Sequence, residues 1–496
     1  MDFLSLFDSI TYVLFTLALT YYLATTLQWY NYSFLRILTK HHKSMWHIYY
    51  FILPIIIYIV MSLFYHSVLV YEYIYLIYFP MLFIWYKNLD KRLVWTQRVK
   101  RLFASVLLFI IISLCLSLLT IFSITYSVYA ILSLILGFLS ANICEMMLFG
   151  IYAKKAHSKL QQLQNLKIIA ITGSYGKTSM KNFIAQILQQ QFSVYATPRS
   201  VNTYKGLVAD INQNINSTYE VYVAEAGARQ VGDIEDIATL LQHHYAVIGK
   251  IGHAHIEYFK NVEATTQTKF EILYSQRLIQ AFVQKDNIYP KTIKSQFLAN
   301  MDRLTPYPPI IKDIESTLSK TSFSLELDCV FIPFTCKILG RFNIDNIAVA
   351  IMIAKTLGMD IKALQKAVEQ LQPIPHRLQR IDTPQKIIID DSFNGNLEGM
   401  SEAIRLSSLH NGRKVIVTPG LVEHDEASNI ALAQQIDKVF NLVIITGDLN
   451  VKILDKHITK PQKIILKDKS KLENVLAETG EKNDLVLFAN DAPSYI

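Results

Sequence analysis

Residues 167–179 read KIIAITGSYGKTS. The first six are a short apolar run, the pattern of a strand buried on both faces of a parallel sheet. Gly173 to Gly176 form a turn, and Lys177, Thr178 and Ser179 open an amphipathic helical stretch that runs to about Gln190. A strand, a Gly-rich turn, Lys-Thr and a helix come in the order that a phosphate cradle needs. Glycines let backbone N–H groups converge on phosphate oxygens, and the helix N-terminus adds positive potential. On this reading Gly173, Ser174, Tyr175, Gly176 and Ser179 wrap the phosphates of a nucleotide. Lys177 reaches the β- and γ-phosphates, and the Thr178 hydroxyl holds Mg²⁺. The longer common form of this loop has a glycine five places before Gly176, where this chain has Ile171. A Gly-rich turn before an ordinary helix is the alternative reading.

Two further strands follow. Residues 219–224 end at Glu225, and residues 245–251 end at Gly252-His-Ala-His255-Ile-Glu257. Residues at the carboxyl ends of strands in an open α/β sheet face the ligand crevice, which puts Glu225 and His255 there. A carboxylate and an imidazole suit a divalent metal beside phosphate. A helical stretch beyond them carries Lys269. Short strands are expected at 321–327 and 330–337. Apolar strands then recur at 386–391, 414–418, 442–446, 463–467 and 484–489, alternating with helices. This alternation predicts a small doubly wound, Rossmann-like domain. Gln372-Pro-Ile-Pro375 marks the boundary before it. His243, His244 and His424 read as surface or packing residues.

Upstream the character changes. The chain has 496 residues, a formal charge of +8 and 12% aromatics. Its mean hydropathy is +0.25. Residues 10–35 and 102–144 carry no charge, and 45–86 carry only Glu72. About 20 apolar residues cross a bilayer, so the first run holds one span and the other two hold hairpins turning near 65–67 and 125–127. Five spans are expected, and the first is too long and lacks the basic start of a cleavable signal. Arg36, Lys40 and Lys43 follow the first span. Lys87, Lys91, Arg92, Arg98, Lys100 and Arg101 follow the third, whereas the N-terminal tip has only Asp2 and Asp8. This asymmetry puts the tip outside, the basic loops inside and the chain beyond Lys154 in the cytoplasm. Glu72 and Glu145 read as charges near helix ends. The surplus of basic residues therefore orients spans, and no basic stripe interleaved with aromatics points to nucleic acid. The four cysteines form neither a CxxC pair nor a zinc pattern, which suits a reducing compartment.

Five blocks together resemble, in order, the motif series of the Mur ligases, most closely the MurF type. They are ITGSYGKTS (171–179), VAEAGARQVGDI (223–234), KIGHAHIEYF (250–259) with TKFEI (268–272), GRFNIDNIAVA (340–350) and IIIDDSFNGNLEGM (387–400). The resemblance covers roughly 165–496. It implies an ATP-dependent, ADP-forming ligase joining D-alanyl-D-alanine to a UDP-N-acetylmuramoyl-tripeptide in peptidoglycan synthesis. It implies catalytic roles for Lys177, Lys269, His255 and Arg377, and metal binding by Thr178, Glu225, His255 and a carbamate on Lys269. It also implies nucleotide contacts by Asn343, Asn346, Arg377, Asp391, Phe393 and Asn394, and substrate contacts by Asn202 and Asn396. Departures occur at Thr203, where the family often has Asn, and at Pro375-His376-Arg377, where it has Pro-Gly-Arg. Phe393 replaces the usual Tyr and Leu397 the usual Pro. The family's N-terminal soluble domain, which holds the UDP-sugar, is replaced by apolar runs.

The expected architecture is α/β, in three parts. Residues 1–150 form a multi-pass region in the cytoplasmic membrane, placed to meet membrane-bound wall-synthesis enzymes. Residues 151–371 form a P-loop-type ATP-binding domain, and 372–496 the Rossmann-like C-terminal domain. A membrane-bound amide ligase for poly-glutamate or another acidic polymer is a second reading. A non-catalytic nucleotide-binding scaffold is a third.

Overall fold

The computed structural model describes residues 3–30, 32–33, 36–37, 45–64, 67–118, 126–199, 201–252, 259, 261–290, 300–393, 395–422 and 424–491. The chain forms two compact units, Met1–Ile151 and Tyr152–Ile496.

The first unit is helical. Among the described residues, five helices are long and apolar enough to cross a membrane, beginning at Leu6, Met45, Val68, Gln97 and Tyr126. The helix Phe3–Trp29 is the most enclosed of them. Threonines stud it, and a hydroxyl in an apolar bundle must find a partner. Thr16 and Thr20 donate to the carbonyls of Tyr12 and Thr16, four residues earlier, at 2.8 and 2.7 Å. The Tyr12 hydroxyl is buried within 2.6 Å of Ser113 Oγ and 2.7 Å of Ser133 Oγ, tying three helices together. All four tryptophans of the chain, Trp29, Trp46, Trp85 and Trp95, lie at the helix ends next to the basic loops. Trp29 Nε1 donates to Lys91 O at 3.0 Å, and Gln28 exchanges two 2.8 Å bonds with the backbone of Val94. The helices Gln97–Leu118 and Tyr126–Gln162 approach closely. Ser105 Oγ and Ser140 Oγ are 2.5 Å apart, and a Cβ on Gly137 would meet Val106 Cα at 2.7 Å. The expected hairpin turns at 65–66 and 125 lie outside the described residues.

The second unit is built on two parallel sheets. The strands β1 (Lys167–Thr172), β2 (Val194–Ala196), β3 (Val221–Glu225), β4 (Tyr245–Ile248), β5 (Gln280–Gln284) and β6 (Leu304–Tyr307) form one of them. Their order is β2-β3-β1-β4-β5-β6, and every pairing is parallel. Strands β7 (Ile311–Ser316), β8 (Thr321–Leu327) and β9 (Val330–Cys336) make a separate antiparallel sheet. Strands β10 (Gln379–Asp382), β11 (Lys386–Asp391), β12 (Lys414–Thr418), β13 (Leu442–Thr446), β14 (Gln462–Leu466) and β15 (Asp484–Ala489) form the last. Here the order is β10-β11-β15-β12-β13-β14, with only β10 antiparallel. Strand β1 runs through the middle of the first sheet, with Ile168 to Ile171 fully buried, which is why its sequence reads as a plain apolar run.

Residues 152–162, the end of the helix Tyr126–Gln162, pack into this unit. Ala156 and Leu160 are fully buried there. Lys159 Nζ donates to the carbonyls of Ile211 and Asn212 at 2.9 and 3.1 Å, at the end of the helix Tyr204–Asn214. A cation at a helix C-terminus satisfies its last carbonyls and complements the dipole. His157 Nδ1 lies 3.1 Å from Leu240 O at the end of the helix Asp233–Leu241. The first of these helices starts two residues after Asn202, which the sequence assigns to the site.

Replacing Gly137 with Val should weaken the first unit by roughly 1–3 kcal/mol, because a tight helix crossing has no room for the side chain. Thermal unfolding of the full chain in detergent measures this, and a parental midpoint would show that the crossing is loose.

Candidate active site

The carboxyl ends of β1, β3, β4, β5 and β6 and of β11 and β12 face one cleft of about 560 Å³. Its walls include Lys177, Thr178, Glu225, Gln284, Tyr307 and Asn346 from one side and Arg377, Asp391, Phe393, Asn396 and His424 from the other.

Glu225 lies at its centre, 2% exposed at the end of β3. Its Oε2 accepts from Thr178 Oγ1 at 3.1 Å, and its Oε1 accepts from Asn202 Nδ2 at 3.0 Å. Lys181 Nζ lies 3.6 Å from Oε2 and donates to Arg199 O at 2.5 Å. Lys181 is one turn beyond Lys177 on the helix Lys177–Leu188 and is equally hidden, with 2% exposed. This lysine was not among the residues the sequence suggested. The clue in retrospect is a lysine on the apolar face of an amphipathic helix.

The turn before that helix has Gly176 at φ +75°, and a Cβ there would meet Asn346 Oδ1 at 2.8 Å. Only glycine suits both the backbone and the close neighbour. Lys177 Nζ donates to Gly173 O at 2.7 Å and Ser174 O at 3.2 Å, folded over its own loop. The N–H groups of Ser174 and Tyr175 point to Lys250 O at 3.0 and 3.3 Å. That differs from the expected convergence of the whole turn on phosphate, because the strand end after β4 takes these two donors. Ser179 is buried on the helix's first turn.

Burial pushes the Lys177 and Arg377 cations below their ordinary pKa values, and the carboxylate of Glu225 opposes the shift in both. Lys181 is lowered in the same way. Lys269, on the helix Val262–Phe270, is 3% exposed and does not line the cleft. Burial, with the charge of Lys177 next in size, brings its amine down to about 7. A neutral amine is the form that can add to carbon dioxide. Asn343 is buried, and its Nδ2 donates to Leu339 O at 2.8 Å while Asn346 Nδ2 donates to its Oδ1 at 3.2 Å. Asp391 Oδ1 accepts the backbone N–H of Leu378 at 2.9 Å, and Asn396 Oδ1 caps the helix Leu397–Ser408 through Gly399 N at 2.8 Å. His255 and Asn394 lie outside the described residues. Among the described residues no group of three or more His, Cys, Asp or Glu gathers as a metal site.

Two of the three other histidines match the packing role. His243 is fully buried against Ile272 O at 2.8 Å, and His244 Nδ1 accepts from Ile168 N at 3.1 Å. His424 instead lines the cleft, because the loop after β12 turns towards it.

A model of the Mur ligase middle domain matches residues 171–354, the segment that carries Lys177, Thr178, Glu225, Lys269 and Asn346. The relatives include the UDP-N-acetylmuramoyl-tripeptide–D-alanyl-D-alanine ligase of Buchnera aphidicola subsp. Baizongia pistaciae. It is 26% identical over 355 residues, covering 67% of this chain and 77% of the relative. Over about two thirds of its length the chain is similar to ligases of this type. The enzyme of the same name from Bacillus subtilis is 27% identical over 351 residues, covering 67% of this chain and 74% of its own. The crystal structure of the MurF ligase of Thermotoga maritima in complex with ADP superposes with a TM-score of 0.56. It is 25% identical and covers 69% of this chain and 80% of that one. As in other open α/β sheets, the cleft lies outside the carboxyl ends of the parallel strands.

Lys269→Met should raise the thermal midpoint at pH 6 in carbon dioxide-free buffer, by the equivalent of a few kcal/mol at most. The folded parent must then bury a charged amine. As pH climbs from about 7 towards 10.5, the folded lysine loses its proton before the unfolded one does. The parent gains stability through that window, so the advantage of the variant should shrink. A gap that widens with pH would contradict the burial of Lys269.

Proposed function

We infer that the chain is an ATP-dependent amide ligase of the MurF type. It joins D-alanyl-D-alanine to UDP-N-acetylmuramoyl-tripeptide through an acyl phosphate, in the cytoplasmic assembly of peptidoglycan precursor. The observation that supports this reading best is one buried carboxylate, Glu225, held by Thr178 and Asn202 and facing Lys177, Lys181 and Arg377 in a cleft of nucleotide size. The surplus of cations suits a polyphosphate, and the relatives carry the name of this reaction.

A carboxylate is a poor electrophile, so it must first acquire a leaving group. An oxygen of the tripeptide's terminal carboxylate attacks the γ-phosphorus, the bond to the β–γ bridging oxygen breaks, and ADP leaves with that electron pair. The amine nitrogen of D-Ala-D-Ala then adds to the acyl carbon. The tetrahedral adduct expels phosphate, and the amine's proton passes to solvent. Lys177 and Arg377 offset the charge on the phosphoryl oxygens, and the cleft holds the reactants in line. Asn202 and Asn396 contact the muramoyl peptide. Asn343, Asn346, Asp391 and Asn394 hold the nucleotide. The Thr178 hydroxyl and Glu225 carboxylate are hard oxygen ligands that fit Mg²⁺, with His255 and a carbamate on Lys269 assigned to a second ion; the metal would neutralise phosphate charge. The carbamate reading draws on an amine whose proton is held at about 7.

The proposed parts are a membrane region at 1–150, an ATP-binding domain at 151–371 and a C-terminal domain at 372–496. The five apolar helices act as spans of the cytoplasmic membrane, with the N-terminal tip outside and the catalytic parts in the cytoplasm. The Lys and Arg residues of the loops after the first and third spans support that orientation, and the tryptophans beside them suit a membrane–water boundary. There the enzyme would lie beside membrane-bound steps of wall synthesis.

In detergent, phosphate release should require ATP, Mg²⁺, UDP-MurNAc-tripeptide and D-Ala-D-Ala together, with the pentapeptide product seen by mass. Lys177→Ala should lower this turnover by at least about 1,000-fold while keeping the parental thermal midpoint. Release with a different acid and amine, such as a glutamate polymer, would keep the chemistry and overturn the substrate. Lys269→Ala should be inactive and recover turnover when short carboxylic acids are added, and the absence of any recovery would remove the carbamate.

A further inference from the structure

Arg377 sits in a backbone arrangement that asks for an explanation. The residues on both sides of it have left-handed backbone: His376 at φ +63° and Leu378 at φ +52°. Both carry a Cβ, for which this region is sterically disfavoured, and glycine would take it freely. Strain of this kind persists only where the surroundings impose it. Here the surroundings are the end of β11. His376 Nδ1 lies 2.7 Å from Asp390 Oδ2, and the Asp390 side chain is fully buried. The other oxygen of Asp390 accepts from Ser392 N at 3.1 Å and Ser392 Oγ at 2.7 Å, so the carboxylate cannot rotate without losing two donors. The next residue, Asp391, accepts Leu378 N at 2.9 Å. Phe393 N donates to His376 O at 3.1 Å, and the two rings lie 5.4 Å apart. Contacts from Asp390, Asp391 and Phe393 therefore pin the residues on either side of Arg377, which lines the cleft between them.

We propose that His376 and Asp390 are a positioning pair for Arg377, in which the buried carboxylate anchors the imidazole and so holds the strained turn that presents the guanidinium to the γ-phosphate. The inference rests on the role given to Arg377 above. It adds a reason for a histidine at a position whose backbone suits glycine: the side chain is kept for its bond to Asp390. The pair itself need not touch ATP.

The substitution that separates this from a merely structural role is His376→Gly. Glycine relieves the backbone, which offsets the lost bond to the buried Asp390, so the full-length protein in detergent should unfold close to the parental temperature. Without the anchor the arginine loses its fixed geometry. Turnover should therefore fall roughly 10- to 100-fold, mainly in kcat with KM for ATP changed far less. His376→Asn tolerates left-handed backbone and keeps an N–H donor, and should recover part of that loss. Asp390→Ala should lower kcat as His376→Gly does, although it also removes a buried carboxylate and is expected to cost stability. Arg377→Ala, run alongside, should be essentially inactive. A His376→Gly enzyme within twofold of the parent, beside an inactive Arg377→Ala, overturns the positioning role. An Arg377→Ala enzyme as active as the parent overturns the role of the arginine, which is a different failure.

Discussion

The carboxylate of Glu225 is the balance point of the molecule. Lys177, Lys181, Lys269 and Arg377 all feel its charge, and all four are held below their ordinary pKa values by burial. Three cations, Lys177, Lys181 and Arg377, gathered on Glu225 would be an unfavourable arrangement in a closed interior, where unpaired charge is costly. It is reasonable in a cleft that receives a polyanion. The sheet order follows from the same need, since β3 must lie next to β1 for Glu225 to meet the Thr178 hydroxyl across the phosphate turn.

The two parallel sheets contribute differently. The first supplies the turn, the carboxylate and the lysines from the ends of adjacent strands. The second supplies Arg377 and its anchor from the strand end at Asp390 and Asp391. Each side alone is an incomplete binding surface. The surface becomes a site where the two strand edges face each other and water is confined between them.

Much of this was legible from the residues. Strands β1, β8, β11, β12, β13 and β15 begin and end where the apolar runs do, because strands packed on a face keep a simple hydrophobic pattern. The strands that the sequence did not reveal are β2, β5, β6, β7 and β10. Val194–Ala196 has three residues, Gln280–Gln284 is flanked by glutamines, and Ile311–Ser316 shows a polar, exposed face; none has enough apolar contrast to mark an edge. The phosphate turn, Glu225 and Arg377 were visible as motif residues. Lys181, Asp390 and the placing of His424 were not, since a single lysine or aspartate beside a motif looks solvated until its neighbours in space are known. The pairing of His376 with Asp390 joins two segments 14 residues apart and depends on how β10 turns back on β11.

The rim of the cleft is fastened by polar contacts. Lys250 Nζ meets Glu398 Oε2 at 2.5 Å with both side chains at least half exposed. Gln186 exchanges two hydrogen bonds with the backbone of Gln372, and Arg341 N donates to Glu402 at 2.8 Å. Exposed contacts of this sort contribute about 0–1 kcal/mol each. Beneath them Leu318, Leu339 and Phe342 pack into the apolar cluster of Leu378, Ile389 and Met400, so buried apolar surface joins the two sides more strongly than the polar rim does. The division of labour is that of a lapped joint: the apolar seam supplies the adhesion, and the polar rim sets the register in which the two sides meet.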